Sequence, residues 1–208
     1  MEKKKNLIAL SIAILVFLIL FLLVYYKIKN NGNNISKLNG NIKEYILNIS
    51  SYEAELDVTI ISNKTTNKYL IKQLYYKPNL IKQVIIEPKN LENLSIIYDG
   101  LNMKIENTNL SLSKIYENYE YINKNTLWLC YFIEKCKDYK VTETEKEIII
   151  ENNNKYNNYN VKQVLYIEKQ TGLPSKMEVY DNNKNTKIYI KYNEVKLNKT
   201  NRNKILEE

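Results

Sequence analysis

Hydrophobic and polar positions change their period three times along this chain. Leu7 to Tyr26 form one long apolar run, about the length a helix needs to cross a bilayer, and Lys3, Lys4 and Lys5 stand directly before it. The lysines favour a cytoplasmic N-terminus, so residues 1–29 are predicted to be a cytoplasmic stub and transmembrane signal anchor, with the rest of the chain on the far side of the cell membrane. A cleaved signal peptide has a shorter apolar core, roughly 7 to 15 residues, ending at small residues, and Val24, Tyr25, Tyr26 and Lys27 offer no such site. Residues 30–34, polar and containing Gly32, read as a linker.

From Ile35 the apolar positions recur at helical spacing: Ile35, Leu38, Ile42, Tyr45, Ile46 and Ile49 lie along one side of a helix expected to end near Ser50. The period then drops to two. Tyr52, Ala54, Leu56, Val58 and Ile60 alternate with Glu53, Glu55, Asp57 and Thr59, the pattern of a half-buried strand. Strands are expected at Tyr69–Tyr76 and Leu80–Glu87, separated by Pro78-Asn79 and closed by Pro88. Leu94–Tyr98 and Leu101–Glu106 flank Asp99-Gly100, a pair suited to a two-residue hairpin turn.

After Ser111 the pattern turns helical again, with Ser113 expected to cap a short helix. Asn123 or Asn125 would open a second helix through the apolar stretch Leu127 to Ile133. Strand signals return at Glu147–Glu151, Val161–Glu168, Lys176–Tyr180 and Thr186–Val195, and the polar tail 198–208 is expected to fray. This order predicts an α+β domain over residues 35–197: one large curved antiparallel sheet with helices filling its concave side.

The net charge of +8 suggests nucleic acid only until it is divided. Residues before Ile35 carry five lysines and Glu2, 5 − 1 = +4, and the remainder carries 26 basic and 22 acidic residues, again +4. Half the excess is therefore topological signal. The other half is interspersed with acids, which excludes a phosphate-tracking patch. Lysine, asparagine, isoleucine and tyrosine dominate, as expected of an AT-rich bacterial genome, so triplets such as Asn63-Lys64-Thr65 are chance matches rather than glycosylation signals.

Histidine is absent, which removes Ser-His-Asp and Cys-His relays. Cys130 and Cys136 are the only cysteines; two thiols alone make no zinc site, and six residues along one helix separate them by about 9 Å, so that two free thiols are expected unless the helix ends early and an oxidising compartment bridges them. Glu143, Glu145 and Glu147 would line one face of a strand, where a solvated role outweighs acid-base chemistry. No catalytic residue, cofactor or metal is expected.

Three stretches carry a family likeness. Tyr75-Tyr76-Lys77-Pro78-Asn79-Leu80-Ile81-Lys82, the hairpin Tyr98-Asp99-Gly100, and Ile167-Glu168-Lys169-Gln170-Thr171-Gly172-Leu173-Pro174-Ser175-Lys176-Met177-Glu178-Val179-Tyr180, in this order of elements, resemble the LolA-like superfamily of lipoprotein carriers and, within it, the clostridial germination lipoprotein GerS family. The resemblance implies an incomplete antiparallel β-barrel with helices on its concave face. It also implies a non-catalytic, membrane-held protein of spore formation, in the cell membrane or the spore or forespore envelope. Such a protein would bind and activate a cell-wall amidase in cortex peptidoglycan modification, and so act on germination. The chain has no cysteine just after the apolar run to carry a lipid, so the helix would replace the lipid as anchor.

The alternative is a carrier of lipid or lipoprotein, or an envelope sensor, using the concave cavity for an acyl chain. A permanent anchor argues against a shuttle. For either role the candidate surface is Leu127, Trp128, Tyr131 and Phe132, because a contiguous apolar stretch with aromatic anchors suits a protein partner or an acyl lipid. The competing reading of the same stretch is a plug helix buried against the sheet.

Overall fold

Tyr52, Ala54, Leu56 and Val58, the apolar half of the first alternation, are all buried, at 0, 1, 0 and 4% exposure. They lie on strand β1, Ser51–Ile61. The computed structural model describes residues 48–119, 139–156, 159–181 and 186–207, with Leu18, Ile19, Phe21, Leu22, Glu44, Tyr45, Leu129 and Phe132. Among these residues the fold is mostly β. After β1 come β2 (Thr66–Tyr76), β3 (Leu80–Glu87), β4 (Leu94–Tyr98), β5 (Met103–Asn107) and β6 (Leu112–Tyr116). Then follow β7 (Tyr139–Glu143), β8 (Glu147–Tyr156), β9 (Tyr159–Glu168), β10 (Pro174–Tyr180) and β11 (Thr186–Leu197).

All eleven strands form one antiparallel sheet in the order β6-β5-β4-β3-β2-β1-β11-β10-β9-β8-β7. Every neighbouring pair except β1 and β11 is consecutive in sequence, so the sheet is two meanders joined at its middle by its first and last strands. Directly opposed residues share a face, which makes the core readable as rows. Tyr52, Tyr75, Ile81, Tyr98, Met103 and Tyr116 run toward one edge. Val58, Ile190, Met177, Leu165, Ile150 and Val141 run toward the other. One contiguous hydrophobic cluster spans both rows, and Tyr45, Leu129 and Phe132, each helical, pack into it.

Along β11 the register shifts opposite Glu53 and Glu55, where Glu194 takes a positive φ of 48°. This bulge changes the alternation, so that Val195 and Leu197 pack on the same cluster as Tyr192 and Ile190.

Several expectations are corrected. The domain is mostly β, because two strands stand where the pattern gave none. Ser113 lies inside β6 and caps no helix. The Asn107 side chain accepts a hydrogen bond from the Leu110 N–H at 3.2 Å, and Ser111 takes a left-handed φ of 52°, which turns the chain back along β5. Asp99-Gly100 belongs to a loop running from Tyr98 to Met103, which pair directly, so the turn is longer than two residues. In that loop Asp99 Oδ1 accepts from the N–H groups of Asn102 (2.8 Å) and Leu101 (2.9 Å), which holds its carboxyl below the ordinary aspartate value. Gly100 has φ +102° beside Asn79, a conformation that strains any side chain.

Glu143, Glu145 and Glu147 do not share a strand face. Thr144 Oγ1 accepts from the N–H of Glu147 at 2.9 Å and of Lys146 at 3.3 Å, reversing the chain between β7 and β8. Glu143 then pairs across with Ile148, and Glu147 with Glu168, on opposite faces.

The tail also differs from expectation. Residues Arg202–Glu207 are helical, and Ile205, 0% exposed, closes a second small cluster with Leu74 and Leu80 on the outer face. Of the predicted span 7–26 only Leu18, Ile19, Phe21 and Leu22 are described, all helical and 53, 49, 64 and 57% exposed. Among the described residues no helix is long and apolar enough to cross a membrane.

Replacing Ile205 by Ala leaves a cavity over Leu74 and Leu80 and is expected to cost about 2 kcal/mol of unfolding free energy in urea titration. Replacing exposed Leu206 on the same helix is expected to leave the midpoint within about 0.5 kcal/mol.

Candidate interaction surface

Of the four residues singled out beforehand, Phe132 is fully buried in the core cluster, beside Leu129 three residues earlier. A spacing of three puts the two on one helix face. Leu127, Trp128 and Tyr131 lie outside the described residues, as do Cys130 and Cys136.

The face that Leu129 and Phe132 pack against is not wholly apolar. Gln73 opposes Gln83, and Asn152 opposes Gln163, all four at most 4% exposed. The Tyr52 hydroxyl donates to Gln73 Oε1 at 2.5 Å. The amide nitrogens of Gln73, Gln83 and Asn152 find no partner among the described residues. Tyr45 donates to the carbonyl of Gly172, where φ is 68°, and burial pushes its phenol up to about 12.

The two edges of the sheet differ. On β7 the exposed side chains are Lys140, Thr142 and Glu143, while Tyr139 and Val141 turn toward the core. Glu143 is also tied to Lys169 at 2.8 Å. On β6 the exposed side chains include Leu112 and Ile115, at 60 and 62%, and the neighbouring turns add Leu110 at 64% and Leu101 at 57%. Beyond the N-terminal run, the other large apolar residues so exposed among the described ones are Tyr189 and Leu206. Among the described residues beyond the N-terminal run, exposed apolar side chains are thus concentrated at the β6 edge.

The family model of the YdcC-like sporulation proteins matches residues 3–206. The chain belongs to that family. Its described strands form one open eleven-stranded antiparallel sheet. Among solved structures, this YdcC-like chain is similar to one in the complex of the CwlD amidase from Clostridioides difficile with the GerS lipoprotein (25% identity, TM-score 0.46, 76% of this chain and 93% of that one). It is also similar to a putative outer membrane lipoprotein-sorting protein domain from Vibrio parahaemolyticus (12%, 0.45, 86% and 97%). A third is the LolA superfamily protein NE2245 from Nitrosomonas europaea (13%, 0.42, 77% and 96%). No curated protein matches the chain.

The outer face of this YdcC-like protein carries the charge. Among the described residues no group of His, Cys, Asp and Glu side chains could hold a metal ion. The acids instead meet lysines and tyrosines. Glu178 accepts from Tyr180, from Tyr166 at 3.2 Å and from Lys176 at 3.2 Å. Burial, followed by the charge of Glu178, raises the Tyr166 phenol above its ordinary value.

Glu53 gathers Lys204 of the C-terminal helix, Lys196 of β11 at 3.7 Å and Lys72 of β2 at 3.9 Å. Partial burial acts to raise its pKa, but the Lys204 hydrogen bond and the three positive charges outweigh it, so Glu53 titrates below the ordinary glutamate value.

A depressed folded-state value contributes stability that is fully present above the unfolded value, about 4.3, and is lost as pH falls through the folded one. Glu53→Gln is therefore expected to lower the urea midpoint at pH 7, and the gap from wild type is expected to close as pH falls below about 4. A gap independent of pH would show that the carboxylate charge plays no part.

Proposed function

We propose that the chain is a single-pass membrane protein whose extracytoplasmic sheet domain binds and activates a cell-wall amidase during spore formation. It would act there in cortex peptidoglycan modification, and hence on germination. Family membership carries this reading: the match to sporulation proteins takes in residues 3–206, almost the whole chain. A non-catalytic role agrees with a sequence that has no histidine, and the amidase is the partner implied by the GerS-like stretches at Tyr75–Lys82 and Ile167–Tyr180.

Two features support binding over carriage. Tyr45, Leu129 and Phe132 occupy the sheet face on which a carrier would seat its lipid. The apolar run from Leu7 to Tyr26, with no charge inside it, suits a permanent tether. Leu127, Trp128 and Tyr131 then belong to the segment holding the buried Phe132, and they serve the partner surface through whatever part of it stays exposed.

Full-length protein in detergent, titrated with the purified CwlD-type amidase of the same organism, is expected to form a stable complex and to raise the amidase's turnover on peptidoglycan. Neither binding nor activation would remove the reading. In cells, the chain is expected to stay in the membrane pellet after alkaline carbonate, and a version lacking residues 1–29 to appear in the supernatant.

A further inference from the structure

We infer that the partner adds an extended segment to the open edge of the sheet at β6, with an acidic side chain placed opposite Lys114 and apolar side chains over Leu112 and Ile115. This rests on the amidase-binding reading and adds a second surface to it.

An edge strand presents unpaired backbone N–H and C=O groups, and soluble proteins blunt such edges with charge or cover them. The two edges do so to different degrees, β6 with the single charge of Lys114 between exposed apolar side chains. β7 shows Lys140, Thr142 and Glu143 to solvent, whereas β6 shows Leu112 and Ile115, on opposite faces of the strand, with Leu110 and Leu101 alongside. Backbone pairing plus pockets for alternate side chains is how an extended peptide is recognised by strand addition.

Charge decides the occupant. Lys114, at the centre of β6, lies 4.7 Å from the Tyr116 ring and makes no ion pair among the described residues. Its cross-strand neighbour on β5 is Ile105, which offers no charge. Full antiparallel overlap of two copies of β6 would set Lys114 opposite Lys114, and directly opposed like charges disfavour such a pair. A different chain with a carboxylate at that position gains the contact that a second copy forfeits. The occupant is therefore a strand of the amidase with one acid between apolar residues.

The test compares amidase affinity, by biolayer interferometry on the full-length chain in detergent, for wild type, Leu112→Lys, Ile115→Lys and Lys114→Glu. Thr142→Lys on the opposite edge serves as control. Thermal midpoints confirm folding; every substituted side chain is on an edge strand and exposed to solvent.

Each of the three β6 variants is expected to weaken binding about tenfold or more, and Thr142→Lys to leave it unchanged. Wild-type binding with all three β6 variants equal to it would overturn the β6 surface while leaving the amidase reading intact. Absence of wild-type binding would end both. A wild-type homodimer in sedimentation that the same variants dissociate, with amidase affinity unmoved, would overturn the choice of occupant.

Discussion

The pairing of β1 with β11 is the constraint on which the rest of this fold depends. Each of the other nine ladders joins strands consecutive in sequence, whereas this one brings Tyr52 against Leu197 and Ile60 against Ile188. Without it the chain would be two separate meanders, each with an additional raw edge and an apolar face too small to bury itself. The junction is reinforced just beyond its end. Asn198 Oδ1 accepts from the Ser50 N–H at 2.7 Å and from the Ser50 hydroxyl at 3.0 Å, and the Asn198 N–H donates to the Ser51 carbonyl at 2.8 Å. Such distant contacts are slow to find, so the central ladder is the natural late step in folding.

How much of this was legible in the sequence depends on where each strand sits. β1 was plain because it is central and half-buried, which is the condition that writes an alternating pattern. β2 and β3 do not alternate in burial and were legible instead from their aliphatic and aromatic residues and the punctuation of Pro78 and Pro88. The edge strands were not. In β6 both Leu112 and Ile115 are exposed though they point to opposite faces, so no alternation marks the strand. Around β7 the alternating threonines and glutamates from Thr142 to Glu147 read as one continuous strand face, whereas Thr144 makes a turn there. In the candidate stretch Leu127–Ile133, seven consecutive apolar residues mark core or contact surface without distinguishing them, and the described members Leu129 and Phe132 are core. The exposed β6 residues are scattered singly among serine, asparagine and lysine, and scattered apolar residues are ordinary on surfaces.

The two faces of the sheet use polar residues in different ways. Outside, acids and lysines alternate in solvated pairs such as Lys162 with Glu151 at 2.9 Å, each of which contributes little by itself. Glu53 is the exception, since its three lysines come from β2, β11 and the C-terminal helix and so hold separate elements to one point. Inside, the amides of Gln73, Gln83 and Asn152 are buried with nitrogens unmatched among the described residues, a cost that a purely apolar face would avoid. Buried donors of this kind narrow the ways in which the segments over this face can seat.

The central position of β1 also fixes how the domain bears force. β1 is flanked by long partners on both sides, with register running from Ser51 to Ile61 against β2 and from Tyr52 to Ile60 against β11. Load along a strand's axis shears all of its cross-strand hydrogen bonds together, whereas load across an edge strand peels them one at a time. A domain hung by an edge strand would unzip. A load applied along β1, which lies at the middle of the sheet, meets two full ladders in parallel, whereas the same load on β6 or β7 meets one.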